Sequence, residues 1–159
     1  MDLDKLKGYC LDIGCGGNKQ HGFTGMDKRS LPGVDIVHDL EVFPYPLEDE
    51  SCITIVGSHI VEHVKPWLML DLMNELWRIM KPGGRLALSM PYGVSPGFIQ
   101  DPTHCNPCNE NTWKYFDPKY EVLYSIYHPK PWKILEGFPV WQVTGNMEVL
   151  MEKVVADES

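Results

Sequence analysis

The sequence predicts an α/β domain built on a mostly parallel sheet, and three observations predict it. Short β-branched or apolar runs recur along the N-terminal half, each ending in glycine or a polar turn. One long amphipathic stretch with helical spacing separates two of them. The chemically loaded turns all follow strands, the edge where ligands of such sheets bind.

The first strand reads Tyr9-Cys10-Leu11-Asp12-Ile13 and ends in Gly14-Cys15-Gly16-Gly17. A second, Phe23-Thr24-Gly25-Met26, ends on Asp27, and Val34-Asp35-Ile36-Val37 alternates apolar and polar before His38-Asp39. Cys52-Ile53-Thr54-Ile55-Val56 has the β-branched composition of a buried strand. Pro66 suits a first helical turn, and Leu68, Leu72, Leu76, Ile79 and Met80 recur at helical spacing. Lys81-Pro82-Gly83-Gly84 then stops the helix, and residues 85–90 form the next strand. Residues 91–131, rich in Pro, Asn, Tyr and Trp, read as loop with one short helix near 111–116. The tail offers strands at 132–135 and 149–154, with 141–143 a further candidate.

The crossovers after the first two strands are short. Eight residues separate Gly14 from Phe23 and six separate Asp27 from Val34. A parallel crossover through a helix needs about a dozen. The expectation is an abbreviated sheet with helix-poor crossovers and part of one face exposed.

The 159 residues, 43% hydrophobic and 23% charged, fit a single domain spanning 1–159. Fourteen basic against 22 acidic residues give a net charge of −8, which repels phosphate backbones and makes nucleic acid an unlikely partner. No apolar run is long enough to span a membrane, and the charged first nine residues have no secretory apolar core. These features predict a cytoplasmic protein. Its five cysteines, an odd number without framework spacing, are then expected as reduced thiols.

Glycines at 14 and 16 let the backbone turn tightly and approach a ligand. The dinucleotide fingerprint would need glycine where Lys19 stands, and a phosphate-cradling Walker loop is absent. Asp27, ending the second strand, is placed to accept from ribose hydroxyls, and Asp39, ending the third, from an adenine amine. Together these residues describe a nucleoside pocket.

The run Leu11-Asp12-Ile13-Gly14-Cys15-Gly16, then Gly25-Met26-Asp27 and Val34-Asp35-Ile36-Val37-His38-Asp39-Leu40-Glu41, resembles the class I S-adenosylmethionine-dependent methyltransferases. The likeness continues through Phe43-Pro44-Tyr45-Pro46 and Ser58-His59-Ile60-Val61-Glu62-His63-Val64 to Lys81-Pro82-Gly83-Gly84. It implies a Rossmann-like sheet ending on an antiparallel C-terminal strand, in a compact subgroup lacking much of the helix after the first strand. The cofactor it implies is S-adenosylmethionine, with S-adenosylhomocysteine as product. By that resemblance the turn Gly14-Cys15-Gly16 lies against the methionine part, and Asp12 orients the loop and the cofactor's amino group. Asp27 holds the ribose, Asp39 with Leu40 the adenine, and Ser58 and His59 line the cofactor beside the substrate cleft. Asn18 stands where the family's third glycine is usual.

His59 and His63, four apart, raise a metal pair, but Glu62 is displaced from the metalloprotease pattern and the resemblance makes the segment a pocket wall. No metal is expected. Methyl transfer to a hydroxyl or ammonium requires loss of a proton, so His104 and then His59 are the candidate bases, with Asp101 as orienter or acid-binding group. The competing reading makes Asp101 a turn cap and His104 an ordinary loop residue. Cys105-Asn106-Pro107-Cys108 is half a zinc or redox motif without a matched second half, and reads as free loop thiols. The aromatics between 113 and 141 are expected mainly to cover the sheet.

The expected activity is therefore methyl transfer from S-adenosylmethionine to a small-molecule acceptor. The alternative is a catalytically silent cofactor-binding module or partner subunit. A nicotinamide oxidoreductase is disfavoured by Lys19. An unprotected sheet face and the aromatic tail make a homodimer a further expectation.

Overall fold

The computed structural model describes residues 8–155, so the reading of the N-terminal nine residues falls largely outside the described residues. Eight strands form one sheet: β1 (Tyr9–Ile13), β2 (Thr24–Asp27), β3 (Ile36–Val37), β4 (Cys52–Ser58), β5 (Met80–Pro91), β6 (Trp132–Ile134), β7 (Val140–Trp141) and β8 (Asn146–Lys153). Their order is β3-β2-β1-β4-β5-β8-β6, with β7 also paired to β8. Strands β1 to β5 pair in parallel, whereas β8 runs antiparallel to β5, β6 and β7. The abbreviated α/β sheet with antiparallel C-terminal strands is what the sequence predicts.

Helix α1 (Met69–Ile79) follows a 3-10 turn at Pro66–Leu68. It buries Met69, Leu72, Met73, Leu76 and Ile79, a stripe at 3.6-residue period. That stripe joins one core with Leu11, Ile13, Met26, Ile55, Leu86, Leu88, Val149 and Met151 from the strands. Alternation along the strands sends Cys10, Thr54, Val56, Ala87 and Leu150 to the opposite face, where they stay only half-buried. The helix-poor crossovers are the cause, since neither 14–23 nor 28–35 supplies a helix to cover that face.

Two expectations change. Residues 91–131 hold, besides the 3-10 segment Thr112–Phe116, a short helix α2 (Pro96–Ile99) and a further helix α3 (Glu121–Tyr127). α3 is only seven residues long and buries none of them, with Val122, Ile126 and Tyr127 exposed, so too short a run is available for a helical period to be read. The 81–84 segment does stop α1, yet β5 already pairs at Met80 with Cys52 and resumes at Arg85 with Thr54. The intervening residues loop out of the strand, with Gly83 at φ 73°. Of the aromatics, Trp113, Phe116 and Trp132 enter the core, while Trp141 and Tyr127 stay exposed.

Candidate functional site

Strand order reverses around β1, which has β2 on one side and β4 on the other. The gap beyond the carboxyl ends at such a switch point is where α/β sheets place ligands. The Gly14 turn closes β1 there, its amide and that of Cys15 donating to the Met26 carbonyl at 2.8 and 3.2 Å. Gly14 sits at φ 64°, and a Cβ would lie 2.1 Å from Ile60 Cγ2. Only glycine meets both conditions.

Two buried carboxylates shape the turn. Asp12 accepts the Gln20 amide at 2.8 Å, drawing the far end of the loop back onto β1. Burial pushes its carboxyl up, and the Gln20 amide offsets part of that rise. Asp27 accepts the Gly16 amide on Oδ2 at 2.8 Å and the Arg29 amide on Oδ1 at 2.9 Å, with Arg29 Nε at 3.1 Å from Oδ1. Burial raises this carboxyl too, but the Arg29 side chain and the two amides more than offset it, leaving Asp27 below the ordinary carboxylate range. A carboxylate has about four acceptor positions. Arg29 Nη2 adds a longer contact to Oδ2 at 3.5 Å, so all four are engaged, and the exposed Arg29 side chain can yield its two. Asp39 is exposed and caps its own turn, accepting the Glu41 amide at 2.9 Å.

A cavity of about 600 Å³ is lined by Gly14, Asp27, Asp39, Leu40, His59 and Ile60, together with Arg29, His63, Lys65 and Thr103. A second, of about 710 Å³, is lined by Asp12, Cys15, Ser58, Val56, Ser89 and Glu148, and shares Gly14 with the first. Thus Asp27, Asp39, Leu40 and His59 come together around one cavity, and Asp12, Cys15 and Ser58 around its neighbour. Gly16 acts on the first through its hydrogen bond to Asp27.

His59 directly follows β4 in a left-handed conformation, φ 55°, which a non-glycine residue rarely adopts. Its amide donates to Ser89 O at 2.8 Å, and its Nδ1 lies 3.2 Å from Glu62 Oε1. Glu62 is only 1% exposed. A carboxylate accepts only, so Nδ1 carries the hydrogen and the neutral ring keeps its lone pair on Nε2. His104 Nδ1 lies 2.8 Å from Phe98 O, and its ring packs against Phe98 and His63 at centroid distances of 5.3 and 4.7 Å. Its Nε2 is 3.6 Å from Asp101 Oδ2, beyond hydrogen-bond distance, so the Phe98 carbonyl and not Asp101 orients the ring. Asp101 accepts from the Thr103 hydroxyl and amide, which hold its carboxyl below the ordinary range. His59, His63 and Thr103 line the first cavity, but His104 and Asp101 are not among its lining residues.

Sequence reasoning misses Arg29, Glu62 and Thr103 as parts of this site. Arg29 follows Asp27 by two residues in no recognised motif. Glu62 is visible only as an interruption between histidines, and its burial depends on tertiary packing. All five cysteines are free. Cys108 is buried, its thiol pushed up to about 12 by burial and then by Glu62, so it is no nucleophile.

No family model matches the chain. Over 72 residues it is 32% identical to a Mycolicibacterium smegmatis protein named "Probable S-adenosylmethionine-dependent methyltransferase". That alignment takes in 44% of this chain and 27% of the relative, so the chain matches little more than a quarter of the relative's length. A crystal structure of a SAM-dependent methyltransferase from Archaeoglobus fulgidus superposes with a TM-score of 0.65 at 18% identity, over 95% of this chain and 89% of that one. The chain has the class I S-adenosylmethionine-dependent methyltransferase fold. The [4+2]-cyclase SpnF shares the methyltransferase fold with a TM-score of 0.58 at 16% identity, covering 94% of this chain and 77% of its own. A methyltransferase fold thus hosts more than one named chemistry, and activity has to be argued from the site.

Proposed function

We propose that this chain transfers a methyl group from S-adenosylmethionine to a small-molecule acceptor. One observation carries the reading: Gly14, Asp27, Asp39 and Leu40 converge on a single cavity at the carboxyl ends of β1 to β3. Its residues fit the cofactor. The Gly14 turn leaves no side chain in the way, Asp27 is an ionised acceptor for ribose hydroxyls, and Leu40 offers an apolar contact for a purine. Asp12 and Ser58, on the far side of Gly14, suit the polar methionine end.

When bound, the cofactor supplies a methyl group activated by its sulfonium. The protein's part is to hold donor and acceptor in line and to take a proton where the acceptor carries one. His59 is placed for that proton, because Glu62 fixes its tautomer with Nε2 free and its ring lines the cavity. His104, beside Asp101, is the second proton acceptor we propose. A cavity of this size and a chain of net charge −8 favour a small acceptor over nucleic acid.

The test is transfer of radiolabelled methyl from S-adenosylmethionine to a panel of small hydroxyl, amine and thiol acceptors. Turnover that falls at least about 100-fold in His59→Ala supports the reading, the usual scale of a general base. Cofactor binding without turnover on any acceptor would instead identify a silent binding module.

A further inference from the structure

We propose that Glu62, His63 and His104 form a binding site for a divalent first-row transition-metal ion beside the cofactor cavity. Each residue can offer one donor atom such that all three lie within 4.8 Å of one another. Tetrahedral coordination by nitrogen and oxygen ligands needs donors about 3.3 Å apart, so closure takes a contraction of up to about 1.5 Å. His63 is exposed and free to make it.

Two independent features make this more than a cluster. The first is Glu62 itself, 1% exposed, whose Oε2 has no hydrogen-bond partner. Its other oxygen is taken by His59 Nδ1 at 3.2 Å. A buried carboxylate oxygen without a partner is costly, and a cation would satisfy it.

The second is the tautomer of both histidines. The Thr103 hydroxyl gives its one hydrogen to Asp101 Oδ1 at 2.7 Å, so toward His63 Nδ1, at 3.1 Å, it accepts. His104 Nδ1 lies 2.8 Å from the Phe98 carbonyl, which also only accepts. Both rings therefore carry hydrogen on Nδ1 and present Nε2 lone pairs. Orientation of a ligating imidazole through its other nitrogen is the arrangement metal sites use. The alternative partner of His104 Nε2, Asp101 Oδ2 at 3.6 Å, is too far for a hydrogen bond.

Two imidazoles and one carboxylate suit zinc, cobalt, iron or nickel, whereas magnesium and calcium take oxygen ligands. Three protein ligands leave positions open, and His63 and Thr103 line the cavity onto which they would open. An ion there would occupy the His104 lone pair, leaving His59 as the proton acceptor. The sequence spacing pairs His59 with His63 and argues against a metal; the fold instead pairs His59 with Glu62 and brings His63 against His104.

The experiment needs no methyl donor, so it fails or succeeds independently of the proposed activity. Cobalt(II) is titrated into the purified protein and visible d–d absorption is recorded. The expected result is saturation at one equivalent, displacement by zinc(II), and no displacement by excess magnesium(II). Glu62→Gln and the exposed-site variant His63→Gln should each weaken binding at least about tenfold, and Thr103→Val by a similar or smaller factor through His63. His21→Gln should bind as the parent does. Circular dichroism verifies folding, and His63→Gln decides the matter if Glu62→Gln unfolds. Absence of saturable bands, displacement by magnesium, or affinity unchanged in His63→Gln would overturn the site.

Discussion

Single residues decide whether the nucleoside cavity exists. Gly14 combines a left-handed backbone with a Cβ position already filled by Ile60, so Gly14→Ala must displace a core side chain and strain the turn as well. The expected loss is at least about 2 kcal/mol by urea unfolding, with cofactor binding abolished. The position is legible in the sequence, because a glycine that closes an apolar strand is by itself the signal of a turn. Asp27 and Asp39 are legible in a similar way: each is an acidic residue at or just past the end of a short strand. Arg29, Glu62 and Thr103 are not, since their roles arise from side chains meeting across loops and no local pattern encodes that.

At the scale of elements, α1 is legible almost to its ends because its apolar stripe follows the helical period. α3 is not, because a seven-residue helix that buries none of its residues is too short a run for a helical period to stand out. α1 is also tied to the loop after β3 by a buried polar link. Glu75 Oε1 accepts the Tyr45 amide and Arg78 Nη2, both at 2.6 Å, and Arg78 Nη1 reaches Asp49 at 2.6 Å. Burial raises the Glu75 carboxyl, but Arg78 and the Tyr45 amide lower it further, so it ends below its ordinary value of 4.5. A folded-state value below the unfolded one stabilises the protein above the unfolded value and loses that contribution as pH falls through the folded one. Glu75→Gln is therefore expected to be less stable than the parent in urea at pH 7. The gap should close as the pH drops below about 4.5, and a gap constant to pH 3 would contradict the assignment.

Among the described residues the sheet is covered on one face and half-open on the other. Its short crossovers, visible in the sequence as loops of eight and six residues, make that asymmetry legible, although which face is covered is not. Adjacent residues of β4 test it. Ile55 is fully buried in the core that the α1 stripe joins, and Val56 faces the half-open side. Ile55→Ala should cost about 2–5 kcal/mol and Val56→Ala about 1 or less, measured by denaturant unfolding. Equal costs would mean that both faces are covered. The same open face holds the larger cavity, so the shortened crossovers that leave the sheet bare also leave Asp12 and Ser58 within reach of a ligand. No helix among the described residues is long and apolar enough to cross a membrane.

The most direct measurement is calorimetric titration of the purified protein with S-adenosylmethionine and S-adenosylhomocysteine, with Asp27→Ala alongside. Hydrogen bonds to a charged group contribute about 1.5–3 kcal/mol, so saturable one-site binding should weaken by at least about tenfold in the variant. Absence of binding at millimolar ligand, or equal affinity in Asp27→Ala, would contradict a nucleoside pocket at the ends of β1 to β3.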